Sequence, residues 1–311
     1  AGVRDATLDA WTLLELTHGE RSRPRLLFAL VRTMLRLNRS LGRRGNPAIT
    51  RCTHPVGMFP CGEAKRENPT VIRGEMLELR NPHSVIAALE ARPGDVARLE
   101  LPARGGGAAW QQARSKAEQL DIAIGELDAR GPRGRERGGI GRVAERHPVA
   151  VRDLATSELS SGLWLALDSV QDPQNVGAIF RIAAFFGVRG IVMTKDRSAS
   201  MTGVVYDVAS GGVESVPFAV ETNLHRALGQ LRDAGVWLLG TSEHAERDVF
   251  EVPRDRPWVL VVGNEERGLR PRTLEACDDV VSVSPTAGAG VTSLNVAAAT
   301  AVLVGVLSRS S

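Results

Sequence analysis

Cysteine is scarce in this sequence, long apolar runs are missing, and neither of the common phosphate-cradling glycine patterns occurs. Three cysteines, Cys52, Cys61 and Cys277, are spread over 311 residues. They are too few and too scattered for a disulfide framework. Cys52 and Cys61 stand too far apart for an ordinary zinc-knuckle pair, and no second pair follows, so no metal site is expected. Free thiols in a reducing cytoplasm are the expected state. No stretch approaches the roughly 18 apolar residues that a membrane-spanning helix needs. No charged start, apolar core and cleavage site mark a signal peptide. The absence of GxGxxG and GxxxxGK[ST] argues against a dinucleotide or triphosphate ligand. Acidic residues are lacking from residues 21–62, where nine arginines stand.

What is present is an ordinary globular balance, 43% hydrophobic and 24% charged, enough to bury a core. The length suggests two domains. Net charge is +3 and the isoelectric point is about 9.1, compatible with a nucleic-acid partner without demanding one.

Residues 1–75 form a basic extension, with Leu27, Leu30, Val31 and Met34 at helical spacing and then a run broken by Pro47, Pro55, Pro60 and Pro69. It reads as an RNA-binding arm, a targeting segment, or upstream sequence foreign to the native protein, the last being favoured because a clean pattern begins at Met76. Residues 76–128, extending to about 150, read as a small α/β domain: a helix over Pro82–Arg92, a strand over Asp95–Leu101 and a helix over Trp110–Leu120. Residues 129–146 carry six arginines among five glycines and read as a flexible linker, with a phosphate hook as the alternative. Residues 151–311 are strongly α/β. LWLALD (163–168), GIVM (190–193), WLLGTS (237–242), WVLVVG (258–263) and VVSV (280–283) read as parallel strands covered on both faces. Helices are expected at 176–186, around 201–212, at 222–234, 271–276 and 293–307.

Three strand-to-helix loops stand out. The first is Asp172-Pro173-Gln174-Asn175-Val176-Gly177, leading to Arg181. The second is Gly263-Asn264-Glu265-Glu266-Arg267-Gly268-Leu269. The third runs from Pro285 to Ser293-Leu294-Asn295. Ligands of open parallel sheets bind where loops leave the carboxyl ends of strands, so the three could converge. Each residue alone has a structural explanation. Asp172 and Asn175 suit helix caps, Ser293 could cap the last helix, and Gly263 and Gly268 could serve a tight turn.

DPQNVGAIFRIA, VVGNEERGL and TSLNVAAATAV together, in this order and spacing, resemble the three motifs of the SpoU/TrmH RNA methyltransferases. The likeness covers about 150 residues. It implies an α/β fold, a parallel sheet whose C-terminal segment threads a trefoil knot, preceded here by a small α/β RNA-binding domain. That upstream unit resembles the substrate domain of bacterial 23S rRNA guanosine 2′-O-methyltransferases through Asn81-Pro82-His83-Ser84-Val85 and His147-Pro148-Val149-Ala150. The resemblance further implies a cytoplasmic homodimer that uses S-adenosyl-L-methionine, without a metal, to methylate a ribose in RNA. The target it implies is rRNA, alternatively tRNA; a non-catalytic ribosome-assembly factor is the reading from another class. The residues it places in catalysis are Arg181, Asn175, Glu265, Ser293 and Asn295. Those it places at the cofactor are Gly263, Val283, Leu294, Thr241, Asn264, Gly268, Leu269 and Pro285. The stretch 283–290 is about two residues longer than the family pattern. A guanidinium with a pKa above about 12 makes a poor base, so Arg181 is expected to orient and stabilise the 2′-oxygen.

Overall fold

The computed structural model describes residues 75–102, 107–127, 138–155, 161–285, 290–291 and 293–308. The basic extension up to residue 74, Cys52 and Cys61, residue 128, residues 129–137 of the expected linker and residues 286–289 of the lengthened loop lie outside the described residues.

In chain order the elements are β1 (Met76–Leu79), α1 (Pro82–Ala91), β2 (Val96–Pro102), α2 (Gly107–Gln119), β3 (Ala123–Leu127) and β4 (Ile140–Ala144). Then come α3 (Val151–Leu154), β5 (Leu163–Leu167), α4 (Pro173–Phe186), β6 (Ile191–Thr194), α5 (Gly203–Ala209), α6 (Gly212–Ser215) and β7 (Phe218–Glu221). The chain continues with α7 (Leu224–Asp233), β8 (Trp237–Thr241), β9 (Trp258–Val262), α8 (Pro271–Glu275), β10 (Asp279–Val281) and α9 (Val296–Leu307). Two sheets result. A four-stranded sheet has the order β1-β4-β2-β3, and a six-stranded parallel sheet has the order β10-β8-β9-β5-β6-β7.

The large sheet is apolar on both faces because both are covered. Along β5, Leu163, Leu165 and Leu167 join one buried cluster with Ile179 and Phe180 of α4 and Val205 of α5. Trp164 and Ala166 point the other way, into a second cluster with Leu154 of α3 and Leu228 of α7. This alternation is the two-residue period of a strand, hidden in sequence because neither face is polar. Helix α4 starts as its sequence dictates. The Asp172 side chain accepts from the Gln174 N–H at 2.8 Å, Pro173 fills the first turn, and Gly187 ends the helix at φ 70°.

Gly177 of α4 sits where α5 crosses it. A Cβ there would lie 2.7 Å from the Val205 carbonyl oxygen and 2.7 Å from Val208 Cβ. Gly177→Ala is therefore expected to destabilise the chain by roughly 1–2 kcal/mol, the overpacking cost less the helix propensity gained. Thermal denaturation checks this, and an unchanged midpoint would show that the crossing can spread.

Several expectations change. The stretch 129–146 is not linker throughout. Ile140–Ala144 is strand β4, the second strand of the small sheet, pairing with both β1 and β2. One of the six arginines that suggested a solvated hinge, Arg142, is satisfied across that sheet, lying 2.9 Å from Glu78 and 3.0 Å from Glu100. The helix expected around 201–212 is two helices, parted at Ser210 and Gly211, whose φ values are 52° and 95°. The last helix begins at Val296 with Asn295, not Ser293, as its cap. No described helix is long and apolar enough to cross a membrane.

Candidate active site

Strands β5 and β9 are neighbours, yet the chain leaves them toward opposite edges of the sheet. Their loops therefore open a crevice at the carboxyl end, the usual ligand position in open parallel sheets. Asp168 follows β5 directly and is fully buried. Its Oδ1 lies 2.6 Å from Arg270 Nε, and its Oδ2 accepts from the Arg270 backbone N–H at 3.2 Å. Ser169 follows at φ 66°, a left-handed conformation uncommon outside glycine. The Ser169 hydroxyl donates to Asp168 Oδ1 at 3.3 Å, and its carbonyl accepts from Asn264 Nδ2 at 3.0 Å.

Asn264 shapes the loop after β9. Its Oδ1 accepts from the N–H groups of Glu266 at 3.1 Å and Arg267 at 3.2 Å, the local bonding that makes asparagine a turn residue. Reciprocal backbone bonds between Asn264 and Gly268, at 3.0 and 2.9 Å, close the turn. A Cβ on Gly263 would lie 2.2 Å from the Gly268 carbonyl carbon. Gly263 is thus required by its own loop.

Glu265 stands in that turn and reaches across the crevice. Its Oε1 accepts from Asn175 Nδ2 at 2.9 Å and from the Asp172 N–H at 3.5 Å. Asn175 Oδ1 accepts from Asn295 Nδ2 at 3.0 Å. Asn295 Oδ1 caps α9, accepting from Ala297 N–H at 2.9 Å and Ala298 N–H at 3.4 Å. One hydrogen-bonded run therefore laces all three loops. Partial burial opposes ionisation of Glu265. The bonds from Asn175 and from the N–H groups of Glu265, Asp172 and Gln171 outweigh it and hold the carboxyl below the usual carboxylate range.

Not every expected residue joins this run. Arg181 lies nearly two turns along α4 from Asn175, exposed, and its side chain makes no hydrogen bond or ion pair among the described residues. Ser293 is exposed, and Leu294 is 52% exposed beside it. The Thr241 hydroxyl donates to the Val261 carbonyl at 3.0 Å, which ties β8 to β9. Leu269 and Val283 are half-buried and pack their side chains against the hydrophobic clusters. Pro285 is exposed at the end of the described stretch 161–285. Asp168, Ser169 and Arg270 were not singled out in the sequence. The one signal was the carboxylate ending the apolar run LWLALD. Cys277 donates to the Thr273 carbonyl, and burial pushes its thiol up to about 12, with Asp278 adding to the shift; it is no reactive thiolate. The described residues hold no group of three or more His, Cys, Asp or Glu placed for a metal ion.

Fold and crevice together define an open parallel α/β protein with a polar, amide-laced site at its topological switch. Comparison with known proteins narrows this. Residues 162–305 match the SpoU rRNA Methylase family. Over 151 residues the chain is 42% identical to the 23S rRNA (guanosine-2′-O-)-methyltransferase RlmB of Nitrosomonas europaea, covering 49% of this chain and 57% of that protein. It is 36% identical over 227 residues to the RlmB of Pseudomonas aeruginosa, covering 71% of this chain and 91% of that protein. Among solved structures, the SpoU methyltransferase AviRb from Streptomyces viridochromogenes superposes with a TM-score of 0.64 at 22% identity, over 75% of this chain and 89% of that one. AviRb has also been solved in complex with the cofactor AdoMet, with a TM-score of 0.60 to this chain. The chain belongs to the SpoU rRNA methylase family.

Proposed function

We propose that this chain transfers a methyl group from S-adenosylmethionine to a ribose 2′-hydroxyl of RNA, with a guanosine of 23S rRNA as the target. The observation that carries the reading is the Asn175–Glu265–Asn295 run at the switch point. It stands in a chain that aligns over 91% of a relative named for that reaction.

The crevice suits such a cofactor. Gly268 has φ 65° and nothing within 4 Å of where its Cβ would stand, so the rim of the turn offers open backbone. Leu294 offers exposed apolar surface for a purine ring. The groups that would hold the cofactor are the backbones of Thr241, Gly263, Asn264, Gly268, Leu269, Val283 and Pro285, with Leu294. Bound there, it supplies a methyl group already activated on a sulfonium. Arg181 would donate hydrogen bonds to the attacking 2′-oxygen and stabilise the negative charge that develops as its proton passes to solvent water. Glu265, ionised and held by Asn175, would keep the first and second loops in register, and Asn295 would extend that register to α9. Ser293 would contact the substrate from its exposed position.

The further expectations of the family belong to this reading. The chain after β10 runs beside Arg247–Val249, with Ser282 N–H donating to the Arg247 carbonyl at 2.9 Å, and α9 then packs on α4; this return supports a trefoil knot. Phe185 of α4 is 82% exposed and Val302 of α9 is 36% exposed, apolar surface on packed helices that supports a homodimer. Residues 76–150 serve as the RNA-binding domain and 151–311 as the methyltransferase domain, working in the cytoplasm. Calorimetry should show saturable binding of S-adenosylmethionine. Mapping 2′-O-methyl groups on total RNA treated with the protein should show a new position in 23S rRNA. Methylation confined to tRNA overturns the target, and no cofactor binding at high concentration overturns the reaction.

A further inference from the structure

The small sheet and the methyltransferase domain are bound to each other within one chain by a dense set of specific contacts. The Asp207 carboxylate of α5 accepts the N–H groups of Arg80 and Asn81, each at 2.9 Å from Oδ1. Asn81 Nδ2 donates back to the Asp207 carbonyl at 2.7 Å. The buried Ser84 hydroxyl of α1 donates to the Tyr206 carbonyl at 2.6 Å. Arg92 grips Glu214 of α6 with two bonds, at 2.8 and 2.9 Å, and the Glu214 side chain is only 4% exposed. On the far side, the Arg146 N–H donates to the Tyr206 hydroxyl at 2.8 Å, and its guanidinium donates to the carbonyls of Val213 and Val216. Beneath these bonds, one apolar cluster runs unbroken from Leu79, Val85 and Leu89 into Ile179, Phe180 and Tyr206.

The same short helices, α5 and α6, also touch α4 from the other side. Val205 and Val208 lie against Gly177, and Gly212 lies against the backbone of Phe180 and Arg181. A domain held on one face of α5–α6 is thereby held at a set distance from the helix that carries Asn175 and Arg181.

We propose that Asp207 and Glu214 are specificity-determining positioning residues: they lock the small domain to the catalytic domain of its own chain as a fixed spacer. RNA is then selected by whether its target ribose lies at that spacing from the element the small domain grips. This rests on the RNA-methylation reading above and adds to it the rigidity of the two domains. A free linker would let the small domain search many spacings. A fixed one admits few, because misplacing a reacting group by about 1 Å can cost roughly 100-fold in rate.

The docked state has its own reporters. The amides of Arg80, Asn81 and Arg146 find their partners only across this interface. In the full chain without RNA they should exchange with deuterium at least about 100-fold more slowly than free peptide. Exchange at the free-peptide rate overturns the lock. In function, D207A/E214A should raise KM for rRNA roughly tenfold or more with little change in kcat at saturation, while S-adenosylmethionine binds with unchanged affinity. D207N keeps the Oδ1 acceptor and should restore protection of Arg80 and Asn81 and a near-normal KM. If the double variant is too damaged to assay, the wild-type amides and D207N still decide. Protected amides with an unaltered KM in D207A/E214A overturn the spacer role. A wild-type chain that methylates no RNA fails the underlying reading instead, whatever its amides show.

Discussion

Arg181→Ala should lower methyl transfer to RNA by roughly 100- to 1,000-fold, the usual cost of removing one donor that stabilises a developing oxyanion. It should do so without harm to the fold. Arg181 is exposed on α4 and its side chain has no hydrogen bond or ion pair among the described residues, and an exposed helix position tolerates alanine within about 0.5 kcal/mol. Cofactor affinity should also hold, because the Gly263–Gly268 turn is shaped by Asn264 and closed by its own backbone, with no part played by Arg181. Arg181→Lys should fall between, since it keeps the charge and loses the fork geometry. Single-turnover methylation of rRNA, read beside calorimetry with the cofactor, separates these effects. Retained activity in the alanine variant removes Arg181 from the chemistry. Loss of cofactor binding would instead place it at the cofactor.

The separation between Arg181 and the laced loops shows where sequence reading reached its limit. Asn175, Glu265 and Asn295 were legible because each stands in a motif on a strand-to-helix loop, and loops at one end of a parallel sheet must converge. Their mutual hydrogen bonds were not legible, because register between loops is set by tertiary contact. The five strands of the large sheet read as apolar runs were found near their true bounds. The short strand Phe218–Glu221 and the small-sheet strands Met76–Leu79 and Ile140–Ala144 were not. β4 was hidden by composition: its glycine and arginine resemble a linker, and only the pairing of Arg142 with Glu78 and Glu100 reveals a strand. The break at Ser210 and Gly211 was missed as well: the pair Gly211-Gly212 marks a turn, but nothing in Ser210 signals that it too turns left-handed. Arg92 and Glu214, 122 residues apart in the chain, carry no local signal at all.

Arg270→Ala should be among the most destabilising single changes at the site. Asp168 is fully buried at the end of the central strand, and Arg270 meets it with both guanidinium and backbone N–H. The Arg270 side chain is itself 45% exposed, so the pair is asymmetric. Removing the arginine leaves a carboxylate stranded away from water, whereas removing the aspartate frees a guanidinium that solvent can reach. Stranding one partner of a buried pair costs about 3–5 kcal/mol. The backbone N–H of Arg270 and the Ser169 hydroxyl still serve Asp168, so the lower end applies, about 3 kcal/mol. For a domain of this size that corresponds to a midpoint lowered by roughly 6–12 °C. Asp168→Asn should cost less, because a neutral amide can be buried while its oxygen still accepts from Arg270. The damage should also reach the crevice. Arg270 closes the loop that begins at Gly263, and slack there loosens the Asn264–Ser169 bond and the reach of Glu265 to Asn175. Cofactor affinity should therefore weaken in Arg270→Ala at a temperature where the chain remains folded, in contrast to Arg181→Ala. Thermal melts paired with calorimetry at 15 °C measure both quantities. A melt within about 1 °C of wild type would mean that Asp168 is satisfied without the guanidinium, and the loop would then be held by Asn264 alone.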